Sequence, residues 1–249
     1  MDISIDSFAV THTGKVRSRN EDSILDLGNE NLWVVADGMG GHDAGDYASQ
    51  SIIKHLSDFK LQASLSQCID LIEEKVFAAN ADIQQHAIKT KVDKTKTCGS
   101  TVVGLFIWQK IGIVFWSGDS RLYRYRNALE RLSQDHSYVG ELVRMGQLSA
   151  DEAETHPSSN IILNAIGIRA TTFLDLDFFS IQDNDTYILC SDGLYGDVRE
   201  QDLSDTIKNE PQQMEFLASQ LLEQSLQAGG SDNISIICIN TQFNEARHV

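Results

Sequence analysis

Residues 101–116 read TVVGLFIWQKIGIVFW. Two runs of β-branched and aromatic residues, Thr101–Ile107 and Ile111–Trp116, flank a short QKI turn. That spacing fits a hairpin of antiparallel strands, because parallel neighbours need a crossover of a dozen residues or more. Working outward, similar runs occur at Ile3–Val10, Leu32–Ala36, Leu122–Tyr125, Thr172–Phe178, Thr186–Cys190 and Ile234–Ile239. Helical periodicity is confined to a few segments. Gly45–Asp58 puts Ala48, Ile52 and Leu56 on one face, and Ser66–Lys89 does the same with Ile69, Ile72, Val76, Ile83 and Ala87. Gln213–Gln227 is expected to turn Phe216, Leu217, Leu221 and Leu222 inward and to stop at Gly229. Strands in hairpin order with segregated helices pack best as two antiparallel sheets covered by helices, an α+β fold. Between Asp135 and Gly167 the strand pattern ceases. Tyr138–Met145 and Ser149–Glu154, the second opened by the capping box Ser149-x-x-Glu152, predict a small helical flap over about 136–166.

The chain has 249 residues, 41% hydrophobic and 22% charged, with 2 prolines and no low-complexity tract, which predicts one domain over 1–249. A formal net charge of -16 argues against a nucleic-acid surface, since phosphate backbones need basic stripes. An acidic protein can still receive an anion where bound divalent cations reverse the local sign. Residues 1–23 carry Asp2, Asp6, Glu21 and Asp22 without an apolar core, so no signal peptide is expected, and no run is long enough to span a bilayer. Cys68, Cys98, Cys190 and Cys238 show no CxxC spacing or disulfide layout, and they read as buried thiols of a reducing, cytoplasmic compartment. No exposed heptad or apolar tail is evident, which favours a monomer.

Aspartate stands at the ends of strand-like runs four times: Asp37 after LWVVA, Asp119 after IGIVFWSG, Asp192 after TYILCS and Asp232 before NISIICI. Each adjoins a turn-forming neighbour, so each is expected to leave the sheet edge on a tight turn. Three follow a strand and one precedes a strand, positions that share an edge in an antiparallel sheet. Crowded carboxylates repel, and a hard divalent cation, Mg²⁺ or Mn²⁺ rather than zinc, is their natural partner. RSRNED (Arg17 to Asp22) sets a guanidinium beside two acids, suited to gripping a phosphate while the acids hold metal or water; alone it also reads as a solvated loop. Gly38, Gly40 and Gly41 permit close backbone approach to a ligand. They do not form a dinucleotide loop, because Asp43 stands where a further glycine is required. No P-loop and no G-x-S-x-G nucleophile elbow occurs.

CGST (Cys98 to Thr101), GDSR (Gly118 to Arg121), QDHS (Gln134 to Ser137), SDGL (Ser191 to Leu194) and GGSDN (Gly229 to Asn233) complete an ordered set with RSRNED and DGMGGH (Asp37 to His42). In that order they resemble the metal-dependent serine/threonine phosphatases of the protein phosphatase 2C (PPM) family, in its bacterial branch, over about residues 14–240. The resemblance implies an αββα sandwich with two tight Mn²⁺ or Mg²⁺ ions in a cleft at one end of the sheets. It makes Asp37 the bridging ligand, with Gly38 and Glu21 on one metal and Asp192 and Asp232 on the other. Asp22 would orient metal-bound water, Arg17 would hold the substrate phosphate, and Asp119 with Asp192 resembles a third, weaker site. The implied activity is hydrolysis of phosphoserine and phosphothreonine in proteins, opposing a cognate Ser/Thr kinase, with phosphorylated proteins as partners. A catalytically silent phosphate-binding module and a small-molecule phosphatase are the other readings.

One role does not carry over. Eukaryotic relatives place a histidine after the Asp-Gly pair as proton donor, where this chain has Met39. His42, His136 and His156 are the candidate general acids.

Overall fold

The computed structural model describes residues 3–40, 43–90, 98–149, 152–153, 156–158, 161–209 and 213–244. The chain runs β1 (Ile3–His12), β2 (Asp22–Leu27), β3 (Leu32–Met39), α1 (Asp43–Leu56), α2 (Leu65–Lys89), β4 (Gly99–Ser100), β5 (Val102–Trp108) and β6 (Ile111–Ser117). It continues through β7 (Arg121–Tyr125), β8 (Leu129–Arg131), α3 (Tyr138–Arg144), β9 (Asp175–Ser180), β10 (Thr186–Cys190), α4 (Asp192–Tyr195), α5 (Glu200–Asn209), α6 (Met214–Ala228) and β11 (Ile234–Phe243).

One sheet has the order β1-β11-β10-β7-β8, the other β2-β3-β5-β6-β9 with β4 also on β3. The named strand pairings are antiparallel throughout. The decisive hairpin is β5–β6, running from Val102↔Ser117 to Trp108↔Ile111. Its connection is the pair Gln109-Lys110, shorter than the QKI turn read from sequence, with Gln109 at φ 55° to close it.

Side-chain alternation builds the layers. Along β3, Leu32, Val34 and Ala36 pack under α1 and α2 with Ile52, Leu56, Ile72 and Val76. Trp33 and Val35 point the other way, into the space between the sheets, against Leu189, Ile237 and Ile239. A strand buried on both faces has to be apolar at every position, which is why LWVVA is continuous rather than alternating. On the far side Ile188, Cys190, Ile236 and Cys238 pack under α5 and α6 through Leu203, Ile207, Leu217 and Leu221. The result is the αββα sandwich, helices over sheet over sheet over helices. All four cysteines are free and buried.

Several expectations change in detail. Phe216 is 42% exposed, and Met214 with Ala218 fills the inward face of α6 instead. The strand read at Thr172–Phe178 starts at Asp175. β2, β8 and α5 add to what periodicity indicated. In the flap, α3 is capped by Ser137, whose side chain accepts from the Gly140 N–H. The Ser149–Glu152 capping box closes in both directions, with Glu152 N–H on Ser149 Oγ at 3.2 Å and Ser149 N–H on the Glu152 carboxylate at 2.8 Å. Among the described residues no helix is long and apolar enough to cross a membrane.

Candidate metal centre

The acids gather where one end of each sheet meets the other. Asp37 does not leave its sheet on a turn as expected; it lies inside β3, directly opposite Asp22 at the start of β2. Asp192 likewise opens a helix, α4, rather than a turn. Asp232 precedes β11, the antiparallel neighbour of β10, so the pair that follows one strand and precedes the next shares an edge as the pattern required. Asp119 sits in the connection that carries the chain from β6 in one sheet to β7 in the other.

Polar contacts stitch the two sheets together here. Ser191 donates its hydroxyl to Asp22 Oδ2 at 2.8 Å across the inter-sheet space, and its Oγ accepts from the Ser235 N–H at 3.0 Å. Thr101 holds Asp37 through its backbone: its N–H donates to the Asp37 carbonyl at 2.8 Å, and its Oγ accepts from the Asp37 N–H at 3.2 Å. Gly38 has to be glycine, because a Cβ there would lie 2.2 Å from the Gly45 carbonyl oxygen and 2.6 Å from that of Glu21. Asn233 ties the amino-terminal loop to this edge. Its Oδ1 accepts from Glu21 N–H at 2.8 Å, while its Nδ2 donates to the carbonyls of Thr13 at 2.9 Å and Arg19 at 2.8 Å. Arg17 reaches Asp232 Oδ2 at 2.6 Å, with its side chain 56% exposed at the rim.

Burial, then mutual repulsion, governs the charges. Asp192 is pushed up to about 8 by desolvation, with Asp119, Asp232 and Asp22 adding to it. Asp22 is raised to about 6, chiefly by burial. Asp119 also rises to about 6, by burial and then by Asp135. Asp37 is held well above the carboxylate range by burial and by Asp22, Asp192, Asp119 and Asp232 together. Glu21 moves up as well, mainly by burial. The Arg17 guanidinium is held more firmly protonated, chiefly by its hydrogen bond to Asp232.

These residues fit hard divalent cations. The donor set is all oxygen, and buried Asp22 Oδ1 and Asp119 Oδ1 each lack a hydrogen-bond partner, an arrangement that is costly unless something positive occupies the space beside them. Among the described residues no three His, Cys, Asp or Glu side chains close on one point. A cation such as Mg²⁺ that keeps several of its own waters does not need such a cage.

His42 lies outside the described residues. His156 accepts from the Ser158 N–H at 3.1 Å and sits beside the Tyr138 ring within the flap. His136 contacts Gly118, Asn164 and Asp175. Sequence reasoning passed over Asn233, Ser191 and Thr101 as supporting residues, although each stands within a motif it had singled out.

The chain matches the Protein phosphatase 2C family over residues 12–229, and it belongs to that family. It is 32% identical over 243 residues to the Serine/threonine phosphatase stp of Listeria monocytogenes, covering 94% of this chain and 95% of that protein. Among solved structures it resembles PppA, a key regulatory component of T6SS in Pseudomonas aeruginosa, with TM-score 0.86, 33% identity, and 95% and 97% of the two chains covered. It also resembles the catalytic domain of the serine threonine protein phosphatase PstP in complex with 2 manganese ions, with TM-score 0.85, 26% identity, and 97% and 100% covered.

Proposed function

We propose that this chain is a protein serine/threonine phosphatase that hydrolyses phosphoserine and phosphothreonine with Mn²⁺ or Mg²⁺. The observation that carries this is the set of neighbouring acids Asp22, Asp37, Asp119, Asp192 and Asp232 from both sheets, near enough to raise the Asp37 carboxyl together, with partnerless carboxylate oxygens at Asp22 and Asp119 and a guanidinium at the rim. Divalent cations held there supply Lewis acidity, lowering the pKa of water and neutralising charge that develops on the phosphoryl oxygens.

The chain's own residues do the rest. Asp37, Glu21, the Gly38 carbonyl, Asp192 and Asp232 would hold two tight ions, and Asp119 with Asp192 a weaker third. Asp22, oriented by the Ser191 hydroxyl, would accept a hydrogen bond from the attacking water on its unpartnered oxygen. Arg17 exchanges Asp232 for the substrate phosphate, which a planar guanidinium can grip with two parallel hydrogen bonds. The burial of Asp22, Asp37, Asp119 and Asp192 excludes bulk water from the inner part of the site and strengthens the interactions made there.

The whole chain acts as one catalytic domain, monomeric and cytoplasmic, opposing a cognate Ser/Thr kinase. The four free, buried cysteines support the reducing compartment. Rates on a phosphopeptide, a sugar phosphate and an aryl phosphate, with Mn²⁺ and with EDTA, test the reading. Phosphopeptide turnover that vanishes in EDTA is expected. Full activity in chelator, or a preference for the sugar phosphate, overturns it.

A further inference from the structure

His136 stands where three segments cross. Its N–H donates to the Gly118 carbonyl at 2.8 Å, and its carbonyl accepts from the Leu163 N–H at 2.7 Å on the return path of the flap. The ring repeats the tie. Nδ1 lies 3.3 Å from the Gly118 nitrogen, whose N–H is a donor, so Nδ1 is an acceptor. The ring proton is then on Nε2, 3.2 Å from Asp175 Oδ2 at the start of β9. Asn164, itself buried, adds a second clamp, donating to Ser117 Oγ at 2.8 Å and to the Phe173 carbonyl at 3.1 Å.

We propose that His136 is a positioning residue that fastens the turn carrying Asp119 to the base of the flap, so that flap seating and the placement of the Asp119 carboxylate are one event. The claim rests on the reading of Asp119 as part of the catalytic centre. Both nitrogens of the ring are committed to the fold, which leaves His136 unsuited to passing a proton to a leaving group. Contact continues inward from the turn. Gly118 has φ +117°, and a Cβ on it would fall 2.6 Å from Thr101 Cβ; Thr101 in turn holds Asp37. Outward, Ser137 caps α3 and pairs with Ile162, so both limbs of the flap begin beside His136. Tyr138, Met145, Ile161 and Leu163 expose large apolar side chains on those limbs. A protein substrate that leans on them therefore bears on the segments that hold Asp119.

His136→Phe keeps the ring's packing against Trp116 and Phe173 and removes both polar arms, whereas His136→Asn restores an acceptor where Nδ1 was. Amide hydrogen exchange, read without substrate or cation, is expected to quicken in His136→Phe at 117–120 and 138–145 together and to return toward wild type in His136→Asn. Mn²⁺ titration by calorimetry should show the weakest site loosened by about tenfold in His136→Phe, the size typical of a lost outer partner. Turnover should follow, with rescue by Asn. Asp175→Asn, which leaves the ring in place, should shift exchange in the same direction by less, and it carries the test if His136→Phe does not fold. Unchanged exchange at 117–120, or equal loss of turnover in the Phe and Asn variants, overturns the proposal. An inactive wild-type protein would instead overturn the catalytic reading, and the exchange data would still decide the coupling.

Discussion

Asp22 and Asp37 face one another directly across β2 and β3. Like charges in that relationship oppose strand pairing, and burial in the same place deepens the cost. The strain is local, it is paired with the orphaned oxygen of Asp22, and a cation relieves both at once.

Stability without metal should therefore depend on pH in an unusual direction. In the unfolded chain these carboxyls lose their protons near their ordinary value of about 4. In the fold Asp22 and Asp119 hold theirs to about 6 and Asp192 to about 8. Between those limits the folded protein binds more protons, so stability is greatest toward the acid end and falls as pH rises through the window. Thermal unfolding in EDTA should show Tm decreasing from about pH 5 to about pH 8, and saturating Mg²⁺ should flatten the curve. A metal-free Tm that rises over the same range would contradict the charge arrangement.

Asp37→Asn removes the central charge. Toward alkaline pH, where Asp37 has to give up its proton, the metal-free protein should gain stability, on the order of 1 kcal/mol, because one opposed pair is neutralised. Mn²⁺ affinity and turnover should both fall by more than the ~10–100-fold seen when an outer partner of a metal is lost. Paired denaturant melts and calorimetric titrations check the opposite signs. A variant that loses stability while keeping its metal affinity would mean that Asp37 serves the fold alone.

Asn233→Ala should behave as a support rather than a ligand. Three hydrogen bonds to the Thr13–Glu21 loop disappear, leaving the Glu21 N–H and the Thr13 and Arg19 carbonyls to find other partners, at a cost of about 1–3 kcal/mol. Metal affinity should drop about tenfold as Glu21 loses its anchor, with the stoichiometry unchanged. Loss of one whole equivalent of metal would make Asn233 a ligand instead.

Arg17→Ala is expected to lower kcat/KM on phosphopeptides by about 10–100-fold, the worth of charge-assisted hydrogen bonds to a phosphate. Since Arg17 also pairs with Asp232, its removal should leave Mn²⁺ affinity equal or tighter. Steady-state kinetics and metal titration on one preparation separate the two effects. Weaker metal binding would assign Arg17 to the metal's surroundings and not to the substrate.

The layering was legible because LWVVA and TVVGLFIW are apolar at nearly every position, and only strands buried on both faces require that. β2 was not, because DSILDL carries two carboxylates, one of them held for the centre rather than for the sheet. α5 escaped notice for a related reason: of EQDLSDTIKN only Leu203 and Ile207 are buried, so its apolar stripe is one turn deep. Phe216 misled in the opposite sense, a large apolar residue on α6 that lies outward while smaller Ala218 faces in. Of the candidate centre, spacing in the chain brought out the aspartates, which lie in or close to the ends of strands even though Asp37 is inside β3 and Asp192 opens α4. It could not bring out Asn233 or Ser191 as supports, since their importance lies in partners more than 160 residues away, at |i−j| = 169 for Ser191 with Asp22 and |i−j| = 212 for Asn233 with Glu21.

That separation bears on how the protein is made. Chain closure over such distances comes late, after local hairpins and helices have formed, because its entropy has to be offset by structure already in place. During synthesis the early acids at Glu21, Asp22 and Asp37 emerge long before Asp192, and Asp232 with Asn233 comes later still. A nascent chain therefore has half a centre and no phosphate chemistry until the final strand locks onto the first. Activity on the ribosome, followed as release of phosphate by stalled chains of increasing length, should appear in a single step once β11 has cleared the exit tunnel.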